Sequence, residues 1–337
     1  MNMRKSKSKS MPSFFGPLIA VFVLSLVLSV VSESFLSFPN WMNIFRQTAI
    51  NALVSCGMLM VLLTGGVDLS VGSMVALTSC AMGVLMTRFG ILNPLILMGS
   101  ALVVGFLCGG FNALLFTKLR LPHPFVSTMG SKMIFRGLAL FVTGAAPIAG
   151  FPDSVTFLGY RNVGKFPLCF IAVIIVFSLM HVFLNFTALG RKIYSVGGNK
   201  EAARLSGINV PGTLNFVYIM SGIMCALAGI VMIGRVGTAA PLAGETFDTD
   251  AIAACVIGGA SFSGGKGTIA GTLIGALLIA IIRNGLNLLG AQTDVQFMVI
   301  GAVIIIAVLI DVIRTSSELK SKRLSKATAA AELLDLF

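Results

Sequence analysis

Asp68, within GGVDLSVGS (65–73), is a carboxylate at the edge of an apolar run. There it can cap the following helix through Ser70 and neighbouring amides, or act in moving a solute. Lys132 and Arg136 lie four residues apart, hence on one helical face. Inside an apolar span a cation is costly unless paired or wet, so both must face protein or water. Arg136 can pair with a carboxylate such as Asp68 or line a solute path. Asn284, Asn287 and Gln296 add neutral donors and acceptors, suited to a hydroxylated solute and equally to hydrogen bonds between helices. ETFDTD (245–250) gathers Glu245, Asp248 and Asp250 within six residues.

Other arrangements of reactive residues are missing. GGASFSGGKGT (258–268) superficially looks like a phosphate-binding loop, but G-x-x-x-x-G-K-[ST] would need glycine at Ala260 and a hydroxyl at Gly267. No ATP site is expected here. Gly267, Gly271 and Gly275 instead recur every four residues, a small-residue stripe that lets helices approach closely. GGVDLSVGS and GGASFSGGK (258–266) share the spacing G-G-x-x-x-S-x-G, which suggests two glycine-loosened helix ends that line a cavity or are covered by protein. His123 and His181 are isolated, and Cys56, Cys80, Cys108, Cys169, Cys225 and Cys255 all sit in apolar stretches without a Cys-x-x-Cys pair. Buried thiols are expected, with no metal set, no cofactor and no catalytic constellation.

The elements that carry these residues are membrane spans. Of 337 residues 56% are apolar and 11% charged, and the mean hydropathy is +0.98; soluble domains run at roughly 45–50% and 25%. An all-α polytopic membrane protein of about ten transmembrane helices is expected, with cores near 14–32, 45–64, 69–87, 94–116, 124–142, 166–186, 212–233, 250–265, 268–289 and 295–313. Arg4, Lys5, Lys7 and Lys9 precede the first run, which lacks a small-residue cleavage site and should remain as a span. The organisation is a basic tail (1–13), a transmembrane domain (14–313) with a cytoplasmic loop at 187–211, and a C-terminal tail (314–337). With both termini inside, sixteen of the 24 cations fall on the cytoplasmic side, five outside, and Lys132, Arg136 and Arg283 within spans. The net charge of +12 thus reads as topology rather than as a nucleic-acid face.

One polar stretch interrupts this pattern. GGNKEAARLSGINV (197–210) follows the sixth span, with Asn199 as a helix cap, Glu201, Ala202, Ala203, Arg204 and Leu205 as helix formers, and Gly207 as the stop. It predicts a short helix along the cytoplasmic face. Such a segment is either a solvated loop or a docking surface.

ALGRKIYSVGGNKEAARLSGINV (188–210) resembles the cytoplasmic loop of permease subunits in bacterial sugar-uptake ABC transporters, the ribose-permease group. The likeness continues through NIFRQTAINALVSCGMLMVLLTGGVDLSVGS (43–73), TMGSKMIFRGLAL (128–140), DAIAACVIGGASFSGGKGTIAGTLIGAL (250–277) and RNGLNLLG (283–290), covering Phe35 to Asp311. It implies an inner-membrane subunit that moves a ribose-like pentose or a hexose inward, with no ATPase site of its own. It also implies three partners: a cytoplasmic ATPase subunit that uses ATP and Mg, an extracytoplasmic solute-binding protein, and a second permease copy or a paralogue. The ATPase would touch Gly197, Gly198, Asn199, Glu201, Ala202, Ala203, Arg204 and Gly207; Asp68, Ser70, Arg136, Asn284, Asn287 and Gln296 are candidates for the path or for helix packing. Related permeases usually carry Glu-x-Asp before Ala-Ile-Ala, whereas Asp248 here is shorter, so a pairing role for it does not transfer directly. Nucleosides or furanone signals are alternative solutes within the group, and an ion-driven carrier would need more ionisable groups at mid-bilayer.

Overall fold

The computed structural model describes residues 15–119, 121 and 123–334. The basic tail 1–13 and Arg120 lie outside them. The helices are α1 (Phe15–Val31), α2 (Phe38–Leu63), α3 (Val71–Phe89), α4 (Pro94–Thr117), α5 (Pro124–Thr143), α6 (Asp153–Tyr160), α7 (Leu168–Phe186), α8 (Ala188–Gly198), α9 (Lys200–Leu205), α10 (Val210–Val236), α11 (Phe247–Ile257), α12 (Ile269–Leu288) and α13 (Thr293–Leu334). Starts are set locally: Pro94 and Pro124 open helices where no amide partner is needed, and Asn93 accepts from Leu95 N at 2.9 Å. Two short antiparallel pairs, β1 (Ile148–Ala149) with β4 (Thr238–Ala239) and β2 (Asn162–Val163) with β3 (Phe166–Pro167), mark one end of the bundle. α8 and α9 mark the other.

Among the described residues eight helices are long and apolar enough to cross a membrane: α2, α3, α4, α5, α7, α10, α12 and the first part of α13. The 17 residues of α1 reach the lower limit. The expected span at 250–265 is corrected. α11 has 11 residues, a rise of roughly 16 Å against ~30 Å of hydrocarbon, because the chain leaves the helix at Gly258–Gly259. The irregular segment 258–268 then returns to the α9 end, its polar groups held by Asp311 of α13, which accepts from Ser261 Oγ at 3.2 Å and Phe262 N at 3.3 Å. Nor does the final helix stop at 313; its backbone continues through the expected tail to Leu334.

α2 and α10 are buried nearly all round, whereas α4, α5, α7 and α13 expose apolar faces that include Phe106, Phe141, Leu179 and Ile305. Such outward faces suit lipid. α10 crosses α4 so closely that a Cβ on Gly222 would lie 2.1 Å from Gly105 O, and one on Gly105 2.4 Å from Gly222 O. Only glycine permits that approach. The stripe expected at 267–275 is corrected in one member: Gly271 and Gly275 meet Gly258 O and Ala254 O across α11, but Gly267 precedes the helix.

Exposed Lys200 and Asp153 lie at opposite ends. Single cysteines there are expected to label from opposite membrane faces, Lys200→Cys only after cytoplasmic access. Labelling of both from outside would overturn the orientation drawn from the cations.

Candidate functional site

Consecutive caps build the α9 end. Thr187 Oγ1 accepts from Gly190 N at 3.1 Å to start α8, Asn199 Oδ1 accepts from Ala202 N at 2.9 Å to start α9, and Asn209 Oδ1 accepts from Gly212 N at 3.0 Å to start α10. Gly197 and Gly198 close α8, and the expected cap Asn199 turns the chain into α9, the short helix anticipated from Glu201 to Leu205. Gly207, at φ 79°, ends the turn beyond α9.

This element has an inner and an outer side. Ala203 is buried with Val196, Val210 and Leu214, so a large side chain there would lift α9 off α10 rather than strike a partner. Gly197 is wedged where a Cβ would lie 1.7 Å from Leu63 O and 2.6 Å from Gly265 N. Gly265 N itself donates to Leu63 O at 2.9 Å, and Tyr194 Oη donates to Gly267 O at 2.9 Å. The two glycine segments that echo each other in sequence therefore meet under α8. Outward face Gly198, Asn199, Glu201, Ala202, Arg204, Leu205 and Gly207, with Leu205 75% exposed. Arg204 pairs with Glu201, and this hydrogen bond and charge hold the Glu201 carboxyl below its ordinary range.

Asp68 sits deeper, fully buried. Its Oδ1 accepts from Ser70 N at 3.0 Å and Ser70 Oγ at 2.6 Å, and its Oδ2 accepts from Ser221 Oγ of α10 at 3.2 Å. Asn112 Nδ2 of α4 donates to Ser70 Oγ at 2.8 Å and, more weakly, to Asp68 Oδ1 at 3.4 Å. Asp68 thus holds its own turn and joins α4 to α10. The expected Asp68–Arg136 pair is corrected. The carboxylate is occupied by neighbours on its own turn, α4 and α10, and Arg136 Nη1 donates to Pro241 O at 2.6 Å and Ala243 O at 2.8 Å.

Asp248 does pair, despite its shorter side chain: Lys132 Nζ lies 2.6 Å from its Oδ2. Asp250 takes Arg283 bidentately, Nη2 to Oδ1 at 2.7 Å and Nε to Oδ2 at 2.9 Å. Two residues apart on a helix point about 200° apart, so Asp248 meets α5 while Asp250 meets α12. That spacing was the signal in ETFDTD. Asn284 exchanges two hydrogen bonds with Asn40, at 2.7 and 3.1 Å, and Gln296 Nε2 donates to Asn287 Oδ1 at 2.8 Å. These three link helix to helix, apart from Asp68. All six cysteines are buried free thiols.

A helical bundle with apolar outer faces, polar ties between its helices and a capped polar element braced at one end has the build of a multi-pass membrane protein. A family described as branched-chain amino acid transport system / permease component matches residues 40–308. The chain is 41% identical over 301 residues to the ribose import permease protein RbsC of Bacillus subtilis, covering 88% of this chain and 92% of that one. Against RbsC of Escherichia coli K12 it is 40% identical over 299 residues, 87% and 92% of the two chains. The fructose import permease protein FrcC of Rhizobium meliloti is 38% identical over 305 residues, 88% and 84%. No solved structure matches. The chain belongs to this family of transport-system permeases, and the resemblance read from GGVDLSVGS and GGNKEAARLSGINV is borne out.

Proposed function

We propose that the chain is the bacterial inner-membrane subunit of an ABC importer for a monosaccharide, a ribose-like pentose or a hexose, with ATP and Mg handled by a separate ATPase subunit. The relatives named for ribose and fructose import support the solute class. The observation that carries the mechanism is the two-sided α9 element. Its outer face, Glu201, Ala202, Arg204 and Leu205, is free for the ATPase, while Ala203 and Gly197 brace it from within against α10, the end of α2 and the 258–268 segment. Displacement at α9 would reach α2 and α10 as a rigid push. From there the Asp68 ties extend it to α4. Packed elements answer such a push by switching between arrangements, and the ATPase must contact the two states differently.

The solute path, in this reading, runs along the face of α5 and α11. Lys132 is 24% exposed at its side chain within a span, which demands water or protein beside it. A second copy or a paralogue would close that face, and an extracytoplasmic binding protein would deliver the solute at the strand end. Proteoliposomes holding the permease, its ATPase and its binding protein should accumulate at least one of labelled ribose, allose, fructose and galactose in an ATP-dependent manner. ATP-independent uptake driven by a sodium or proton gradient through the permease alone would overturn the proposal.

A further inference from the structure

Between α2, α10, α11 and α12, towards the strand end, lies a cavity of about 190 Å³ bordered by Gln47, Asn51, Arg235, Phe247, Asp250 and Arg283. It has room for several waters, the scale of one sugar ring. Its polar groups are incompletely used. Asn51 is 7% exposed, and its only side-chain hydrogen bond among the described residues is a long one accepted from Ser55 Oγ at 3.5 Å. Its NH2 donates to none of them. Gln47, one turn away on the same face of α2, makes no side-chain hydrogen bond among the described residues. Gln47 is half-buried and also meets solvent, but Asn51 is more than nine-tenths buried with its NH2 unused, and a molecule in the cavity can take that donor.

The form of the wall selects that molecule. Each amide offers a donor beside an acceptor, which matches neighbouring hydroxyls, each of which also gives and takes. Arg235 uses one donor on Asn43 Oδ1, at 3.2 Å, and retains others. Asp250 and Arg283 satisfy each other, so the wall shows no unpaired carboxylate to a cation, and an anion would have to compete with Asp250 for Arg283. The Phe247 ring gives the apolar C–H face of a sugar a surface.

We propose that this cavity is a monosaccharide subsite inside a single subunit, with Gln47 and Asn51 as its hydroxyl-reading residues. It is separate from the path along α5, and it rests on the import reading for its substrate class. By the orientation drawn from the cations it opens on the outer side, where solute arrives.

The test is protection of a thiol. Thr246→Cys, which borders the cavity without being one of the two reading residues, is introduced into the full chain in proteoliposomes and modified with a small methanethiosulfonate reagent, the parent chain giving the background of the six buried cysteines. D-ribose, D-allose, D-fructose or D-galactose at a few times its dissociation constant should slow modification about fivefold, inorganic phosphate should not, and adding Asn51→Ala should abolish the protection. Equal protection by phosphate, protection by no sugar, or protection that survives Asn51→Ala overturns the subsite. The uptake assay above separates the two readings. Uptake without protection removes the subsite and leaves the import reading; protection without uptake leaves the subsite and removes the import reading; neither result removes both.

Discussion

Gly197→Val is expected to abolish ATP-coupled uptake while the spans still insert. The added Cβ alone would lie 1.7 Å from Leu63 O and 2.6 Å from Gly265 N, and both are backbone atoms that cannot rotate aside. α8 must then lift off the end of α2, a region pinned by Gly65 N to Leu62 O at 2.9 Å and Gly265 N to Leu63 O at 2.9 Å. Overpacking of this kind costs about 3 kcal/mol, and that displaces the braced arrangement more than roughly a hundredfold. Gly198 is the internal control, since a Cβ there meets nothing within 4 Å and its φ is not positive. Gly198→Ala should transport like the parent. Equal uptake by the two variants would show that the close approach beneath α8 plays no part in coupling.

Breaking the Lys132–Asp248 pair is expected to give the largest loss of stability. With Lys132→Met the Asp248 carboxylate is left without its cation, and its Oδ1 already has no partner among the described residues. Removing one member of a buried pair costs about 3–5 kcal/mol, whereas replacing both is often close to neutral. The measurement is thermal unfolding in detergent of Lys132→Met, Asp248→Asn and the double variant. Each single variant should melt well below the parent and the double should recover most of the loss, a coupling that a cycle isolates. Additive losses would mean that the two side chains do not support each other.

The order of the helices was legible because apolar runs of membrane length are long signals; α2, α4, α7 and α12 lie where hydropathy puts them. α11 was legible only in part, because hydropathy carried the expected span across 250–265 although the glycines of 258–266 had already marked a loosened helix end. The α9 element was legible from Asn199 and Gly207, whose cap and turn are local chemistry. Which of its residues face inward was not, since the burial of Ala203 depends on Val210 and Leu214 of the following helix. Asp68 shows the same limit. Its bond to Ser70, two residues away, could be anticipated, but Asn112 and Ser221 come from α4 and α10, and no spacing in the sequence foretells which helices become neighbours. For Asp248 and Asp250 the two-residue offset does foretell opposite partners once the segment is known to be helical.

The central claim is that the outer face of α9 docks the ATPase, and Glu201→Lys tests it most directly. Glu201 is exposed and its own pairing is confined to Arg204, so reversing its charge leaves the packing of the spans intact. A reversed charge inside a contact costs ~2 kcal/mol or more, enough to weaken association tens-fold. Glu201→Gln separates loss of the Arg204 pair from reversal of charge. The measurement is co-purification of the ATPase subunit with the parent, Glu201→Gln and Glu201→Lys permeases from equal amounts of inserted protein, with solute uptake scored alongside. Little ATPase retained and little uptake with Glu201→Lys, at undiminished insertion, is the predicted result; full retention and full uptake would contradict it and leave α9 a solvated loop.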